Sequence, residues 1–363
     1  MKQTVLYQIH LQLNAKMTEF QGWQMPLQYS SPAEEYQAVR AAAGLFDVGH
    51  LGRIELTGPG AQALLQKVFT RNVSRLLNGA AVYGLICNDA GFVLDDAMLF
   101  NMPAGKNGSR YLLTTNAANT GKILTWLKKN AGQDVVLSDL TQTMAQLALQ
   151  GPKATIVLEA LAGAHFKKFK KGQVKELSLA ETIVTVSRTG YTGEPGYELF
   201  VPSERAEALW NAVLEAGKEH GVLPCGMACR DMLRLDMGYL QYGSELDETR
   251  TPIEAGLTGF IDFKKDFIGK EALLKRKDEG PKEKLIGFEL FDKGIPKSGG
   301  SIFSENREIG KVTSAGHSPH RRKVIGLGYV ISRYFQAGQE IEIEMKDREI
   351  AARIVELPFY RKK

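Results

Sequence analysis

Three carboxylate positions and one arginine carry the chemistry that can be read from this chain. Asp95 and Asp96 sit side by side in the apolar run Val93-Leu-Asp-Asp-Ala-Met-Leu-Phe100. Adjacent strand residues face opposite ways, so one aspartate can be solvated while its neighbour points inward. An inward carboxylate among Val93, Leu94, Met98 and Phe100 needs a partner or a task, and desolvation raises its pKa toward the range in which protons are exchanged with an amine. The other reading is a wet pair on an edge strand. Glu198 lies in Arg188-Thr-Gly-Tyr-Thr-Gly-Glu-Pro-Gly-Tyr-Glu-Leu-Phe200, where glycines at every third position display Tyr191, Glu194, Tyr197 and Glu198 around a slim backbone. Glycine there permits positive φ or close approach by a ligand. A tight turn with Glu198 as a solvated strand residue is the competing use. Arg230 opens a helix after Pro224 and Gly226. Asp231 can pair with Arg234 at i,i+3, which leaves Arg230 near the positive end of the helix and less compensated, suited to clamping a ligand carboxylate bidentately. A salt bridge to a distant glutamate would be its structural alternative.

These groups need elements to hold them. The flanks of the glycine stretch, residues 181–187 and 197–201, alternate β-branched and aromatic residues, so the glycines fall in the connection of a hairpin. Residues 83–100 form a second hairpin whose return strand bears the two aspartates. Ser31-Pro-Ala-Glu34 is a capping box with proline at the first helical position. Further helices are expected over residues 152–161, over 204–218 after the cap Ser203, over 227–237 and over 269–274. The charged segment 275–284 then reads as a linker, so the chain divides into residues 1–274 and 284–363. Helices and strands mix without strict alternation before it, which favours an α+β antiparallel design. The short alternating runs at 285–290, 324–331, 340–345 and 350–355 describe a small antiparallel barrel or sandwich.

With 363 residues, 44% apolar and 24% charged, the chain suits two or three domains of a globular protein. Three cysteines make neither a disulfide set nor a metal tetrad, and Cys225-x-x-x-Cys229 lacks the two-residue spacer of redox and zinc motifs. His50 and His317 have no second ligand at metal spacing. No metal is therefore expected, and a reducing cytoplasm is the expected home. No signal-peptide core opens the chain and no long apolar run crosses a membrane. The net charge of +5 is mild. Its basic clusters at 167–171 and 320–323 suit solvated faces or an acidic partner, and they lack the interleaved aromatics of a nucleic-acid surface.

Phe46-Asp-Val-Gly-His-Leu-Gly-Arg53, the Asp95-Asp96 strand, Gln150-Gly-Pro152, the 188–200 stretch, Ala228-Cys-Arg-Asp231, Tyr242-Gly-Ser-Glu-Leu-Asp-Glu248, Thr251-Pro-Ile-Glu-Ala-Gly256, Asp266-Phe-Ile-Gly-Lys270 and Pro358-Phe-Tyr-Arg361 follow one another in an order that resembles the glycine cleavage T-protein family of aminomethyltransferases. The resemblance spans almost the whole chain. It implies a three-domain cloverleaf, with two discontinuous α+β domains around a central folate channel and a C-terminal jelly-roll-like β barrel. It also implies a transferase that takes the aminomethyl group on the lipoyl arm of H protein and gives methylene-tetrahydrofolate, ammonia and the reduced arm. Tetrahydrofolate is thus the implied cosubstrate and lipoylated H protein the implied partner. By position, Asp96 matches the family's key aspartate, Glu198 its pterin-binding glutamate and Arg230 the arginine of the folate site. Tyr83, Asn116, Tyr191, Tyr239 and Tyr360 match pocket positions. The chain departs from the family pattern with Phe92 in place of a glycine and Pro195 in place of an aspartate. A folate-dependent demethylase, or a noncatalytic folate binder of the same superfamily, shares the pocket and is the alternative.

Overall fold

A computed structural model describes residues 1–105, 108–166, 168–346 and 348–362. Lys167, the first residue of one predicted basic cluster, lies outside them. The chain separates into two units, residues 1–86 with 96–230 and residues 87–95 with 231–363.

In the first unit, strand Ala43–Asp47 pairs antiparallel with Met144–Gln150, setting Asp47 opposite Leu147 and Gly44 opposite Gln150, so most of what lies between them in sequence is an insertion. The host sheet has six strands in the order Val174–Leu179, Thr182–Ser187, Gly196–Pro202, Met144–Gln150, Ala43–Asp47, Val222–Pro224. Ala43–Asp47 is buried at every position, as a central strand covered on both faces must be. Helices Ala154–Ala162 and Ala206–Gly217 share a core with it through Val157, Leu158, Leu209 and Trp210. Each fully buried Val or Leu side chain contributes about 1.5–3 kcal/mol. The inserted sheet has five strands, in the order Ala80–Cys87, Val93–Gly105, Gly108–Thr115, Gly52–Thr57, Val136–Asp139. Phe100 from the insert meets Phe200 from the host edge-on at 5.1 Å, within a cluster that includes Met102, Leu112 and Val174.

Local signals behave as their chemistry requires. Ser31 Oγ accepts from the backbone N–H of Glu34 at 3.2 Å and starts helix Pro32–Ala41. The predicted hairpin forms, with Thr185 opposite Phe200 and Ser187 opposite Glu198. The cap assigned to Ser203 does not form. Its hydroxyl donates instead to the Gln142 carbonyl at 2.8 Å, and the helix begins at Ala206 without a side-chain cap.

In the second unit, residues 87–95 form the tip of the Asp95-bearing hairpin. Val93 N donates to the Arg250 carbonyl at 3.0 Å, and Phe92 closes the tip against Asn88. The first half of the predicted linker, residues 275–279, is helix. Lys270–Glu279 is continuous and stops at Gly280, whose φ of 78° suits only glycine well. Lys, Arg and Glu are good helix formers, and a charged run can be the solvated end of a helix as readily as a linker.

The C-terminal part is a closed six-stranded barrel ordered Glu283–Leu290, Lys323–Ile331, Arg307–Ser318, Ser301–Ser304, Glu340–Glu344, Glu349–Val355. The four predicted strands are present. Two more, Ser301–Ser304 and Arg307–Ser318, are joined by a two-residue turn in which Glu305 and Asn306 both take positive φ. Part of the 320–323 basic cluster is tied within the barrel, since Arg321 and Lys323 both bind Glu289. Among the described residues no helix is long and apolar enough to cross a membrane.

Candidate active site

Strand alternation separates the two aspartates as expected, and it assigns them unequal settings. Asp95 is fully buried, whereas Asp96 is half-buried. The inward carboxylate of the pair is therefore Asp95, not the residue matched to the family's key aspartate. Asp96 is held by its own sheet. Tyr83, on the adjacent strand, donates its hydroxyl to Asp96 Oδ2 at 3.0 Å. Asn116, just past Gly108–Thr115, donates Nδ2 to Asp96 Oδ1 at 2.8 Å and to the Asp96 carbonyl at 3.2 Å. Each carboxylate oxygen thus has at least one neutral donor fixing its direction. Such a group can orient an amine or take a proton from it.

A second cluster forms on the host sheet. Glu198 sits opposite Ala148 and Ser187, half-buried, and its two oxygens take different neutral donors. Gln146 Nε2 donates to Oε1 at 3.0 Å, and Thr189 Oγ1 donates to Oε2. Loss of water pushes the Glu198 pKa above the usual carboxylate range, and the Thr189 hydroxyl, the Arg230 charge and the Gln146 amide offset this only in part. The Arg230 guanidinium lies over the Tyr191 ring at 4.7 Å, a cation–π contact. His50 is buried beside this charge. Burial first and Arg230 second push its pKa down to about 3, so the ring is neutral at ordinary pH, with Phe20 edge-on at 5.4 Å.

The remaining candidates belong to the second unit. Tyr239 accepts at its carbonyl from Arg234 at 3.1 Å. Tyr360 N donates to the Asp236 carbonyl at 2.8 Å, and its ring meets His320 edge-on at 4.8 Å. The predicted Asp231–Arg234 pair exists at 2.7 Å, but the buried partner of Arg234 was not foreseen. Buried Glu245 binds Arg234 at 2.9 Å and also accepts from Thr313 and Ser314. Nothing in the spacing singles out Glu245.

Sequence reading also missed Gln146, Thr189 and Glu35. Glu35 lies with Cys225 and Cys229 so that one ligand atom from each falls within 4.8 Å of the others, a grouping hidden by its sequence separation. Its carboxylate accepts from the backbone N–H groups of Tyr29, Ser30 and Gly226, which ties the start of helix Met227–Asp236 to residues 29–35.

Comparison with known proteins agrees with this architecture. The GCVT N-terminal domain family matches residues 6–265, and the glycine cleavage T-protein C-terminal barrel domain family matches residues 283–361. An aminomethyltransferase of Caldanaerobacter subterraneus is 42% identical, covering 100% of this chain and 96% of that protein. One from Halothermothrix orenii is 43% identical, covering 99% and 100% respectively. The crystal structure of glycine cleavage system aminomethyltransferase T from Bartonella henselae superimposes with a TM-score of 0.91 at 32% identity, over 99% of this chain and 98% of that one. This chain belongs to the glycine cleavage T-protein family and is an aminomethyltransferase.

Proposed function

We propose that the chain moves the methylene carbon of an aminomethyl group from the lipoyl arm of H protein to tetrahydrofolate, releasing ammonia and the reduced arm, with residues 1–274 handling the folate. The observation that carries the site assignment is the neutral-donor clamp of Tyr83 and Asn116 on Asp96. Bond formation to the carbon leaving the lipoyl sulfur requires the attacking pterin amine to shed a proton as it attacks. A carboxylate of fixed direction orients that amine and receives the proton. Glu198 suits the N–H array of a reduced pterin, which a carboxylate binds bidentately. Arg230, supported by Tyr191, supplies positive charge for the folate. Tyr239 and Tyr360 belong to the second unit, and their assignment to the folate site rests on the family resemblance alone. Exclusion of water protects a methylene iminium from hydrolysis. A cytoplasmic home is part of the same reading and is supported by the three cysteines, which are all buried and unbridged.

The test is tetrahydrofolate-dependent ammonia release from aminomethyl-loaded H protein, comparing wild type with Asp96→Asn. Loss of about a hundredfold or more in turnover is expected for the variant. Wild-type turnover untouched by the substitution removes Asp96 from the mechanism. Folate binding without any wild-type turnover points to a demethylase or a noncatalytic binder.

A further inference from the structure

The glycines of residues 188–196 have a use other than admitting a ligand. A Cβ placed on Gly190 would lie 2.6 Å from Cδ of Gln150, and one on Gly196 would lie 2.5 Å from its Nε2 and Oε1. Only Gly193, with φ of 82°, needs glycine for its backbone conformation. The side chain occupying the space between the other two belongs to the neighbouring strand and is 1% exposed. It is also fully engaged. Gln150 Nε2 donates to the carbonyls of Thr189 at 3.1 Å and Tyr197 at 3.3 Å, and Oε1 accepts from Thr192 Oγ1 at 3.1 Å. The ladder between the two hairpin strands ends at Ser187 and Glu198, so beyond that point the carboxamide takes over the role of cross-strand bonds. Arg40 braces the far side, donating to the Thr192 carbonyl at 2.7 Å and pairing with Glu194 at 3.2 Å. Gly151 N holds the Pro195 carbonyl at 2.8 Å.

We propose that Gln150 is a positioning residue of the folate site, its carboxamide serving as the template on which residues 188–196 are set. It acts through two others. The Thr189 backbone that it grips carries the hydroxyl bonded to Glu198, and the Thr192 that it grips follows Tyr191, the platform under Arg230. The inference rests on Glu198 and Arg230 binding tetrahydrofolate. Its physical core, a glycine pair cut to fit a glutamine, does not.

The experiment is a double-mutant cycle of Gly190→Ala with Gln150→Ser in the full-length protein, read by tetrahydrofolate affinity in calorimetry, by steady-state kinetics and by amide hydrogen exchange across 189–196. Gly190→Ala alone displaces the carboxamide and weakens tetrahydrofolate binding about tenfold, the effect of losing about one net hydrogen bond's worth of positioning. In the Gln150→Ser background the added methyl has room, so the same substitution costs less than about threefold. Gln150→Met, which keeps the length and removes the hydrogen bonds, raises the KM for folate about tenfold while kcat changes less than about threefold. A purely structural role would lower the melting temperature and leave the KM of the folded protein unchanged. An equal penalty for Gly190→Ala in both backgrounds overturns the proposal, because the glycine would then serve the ligand. Should Gln150→Met fail to fold, Gln150→Asn, whose carboxamide falls one methylene short of Thr189 and Thr192, is expected to raise the KM for folate in the same way. If wild type does not bind tetrahydrofolate, the functional reading fails, yet hydrogen exchange still decides the template. Faster exchange at 189–196 in the Gln150 variant supports it, and unchanged exchange overturns it.

Discussion

Glu198→Gln separates the charge of this residue from its shape. The side chain is isosteric, and the amide can keep its oxygen toward Gln146 Nε2 and turn its NH2 toward Thr189, whose hydroxyl can donate to Ser187 at 3.0 Å instead of to residue 198. The fold should therefore tolerate the change within about 1 kcal/mol, since a partly dehydrated carboxylate is replaced by a neutral group. Binding should not tolerate it. Two hydrogen bonds from a reduced pterin to a carboxylate, each about 1 kcal/mol stronger than to a neutral acceptor, would weaken or be lost, predicting a loss of about 2–3 kcal/mol, or about 30- to 150-fold in Kd. The pH dependence gives a second reading. The Glu198 pKa is raised above its ordinary 4.5 mainly by loss of water, so the folded chain holds this proton more tightly than the unfolded one. The resulting stability is present in full below 4.5 and is lost as pH rises through the folded pKa, and Glu198→Gln removes that slope. Donors on the ligand require the ionised form, so wild-type affinity should climb through the same window with proton release, whereas the variant should stay flat. Calorimetry in two buffers of different ionisation enthalpy measures both. A variant that binds tetrahydrofolate as tightly as wild type, with the same pH profile, refutes the assignment of Glu198 to the pterin.

Two further outcomes concern the framework. Arg234→Met strips the buried Glu245 of its cation while the Thr313 and Ser314 hydroxyls remain, and it should cost about 3–5 kcal/mol in urea unfolding; a loss under about 1 kcal/mol would mean that the hydroxyls alone suffice. Asp47 is buried, which pushes its carboxyl up, but the His10 hydrogen bond and charge, with the Thr4 and Gly49 donors, prevail and leave its pKa below the usual range. Its contribution is present above its unfolded value of 3.8 and is lost as pH falls through the folded pKa, so Asp47→Asn should flatten the acid limb of a melting-temperature profile between about pH 5 and pH 2. An acid limb identical to wild type would show that other carboxyls set it.

Features legible in the sequence were those decided locally. Ser31 and Glu34 are three residues apart, the alternation through Asp95 and Asp96 is a property of one strand, and the 188–196 connection is bounded by its own β-branched flanks. What stayed hidden depends on distant pairing. Gln146, Gln150 and Thr189 are ordinary polar residues until strands Met144–Gln150 and Gly196–Pro202 come into register, and only then does the glycine spacing acquire its glutamine. The helix expected over 269–274 runs on to Glu279, because composition alone does not distinguish a solvated helix turn from the start of a linker.

The insertion in the first unit has a mechanical corollary. Its exit and return lie in one hydrogen-bonded ladder, with Val48 N on the Gln146 carbonyl at 3.1 Å, so the host constrains where the inserted chain begins and ends but not what it contains. Asp96, Tyr83 and Asn116 ride on the inserted piece, while Glu198 and Gln146 ride on the host. Few covalent crossings join the two, and their alignment falls to the backbone bonds from Ala81 N to the Gly172 carbonyl and from Val174 N to the Gly79 carbonyl, each 2.7 Å, together with apolar contact such as Phe100 against Phe200. Close-packed surfaces of that kind shift by discrete repacking rather than by bending. The aromatic contact and the backbone bridge beside it therefore act together as a dowel between two plates, and a volume change there, far from any reacting group, would be felt in the offset of one carboxylate from the other.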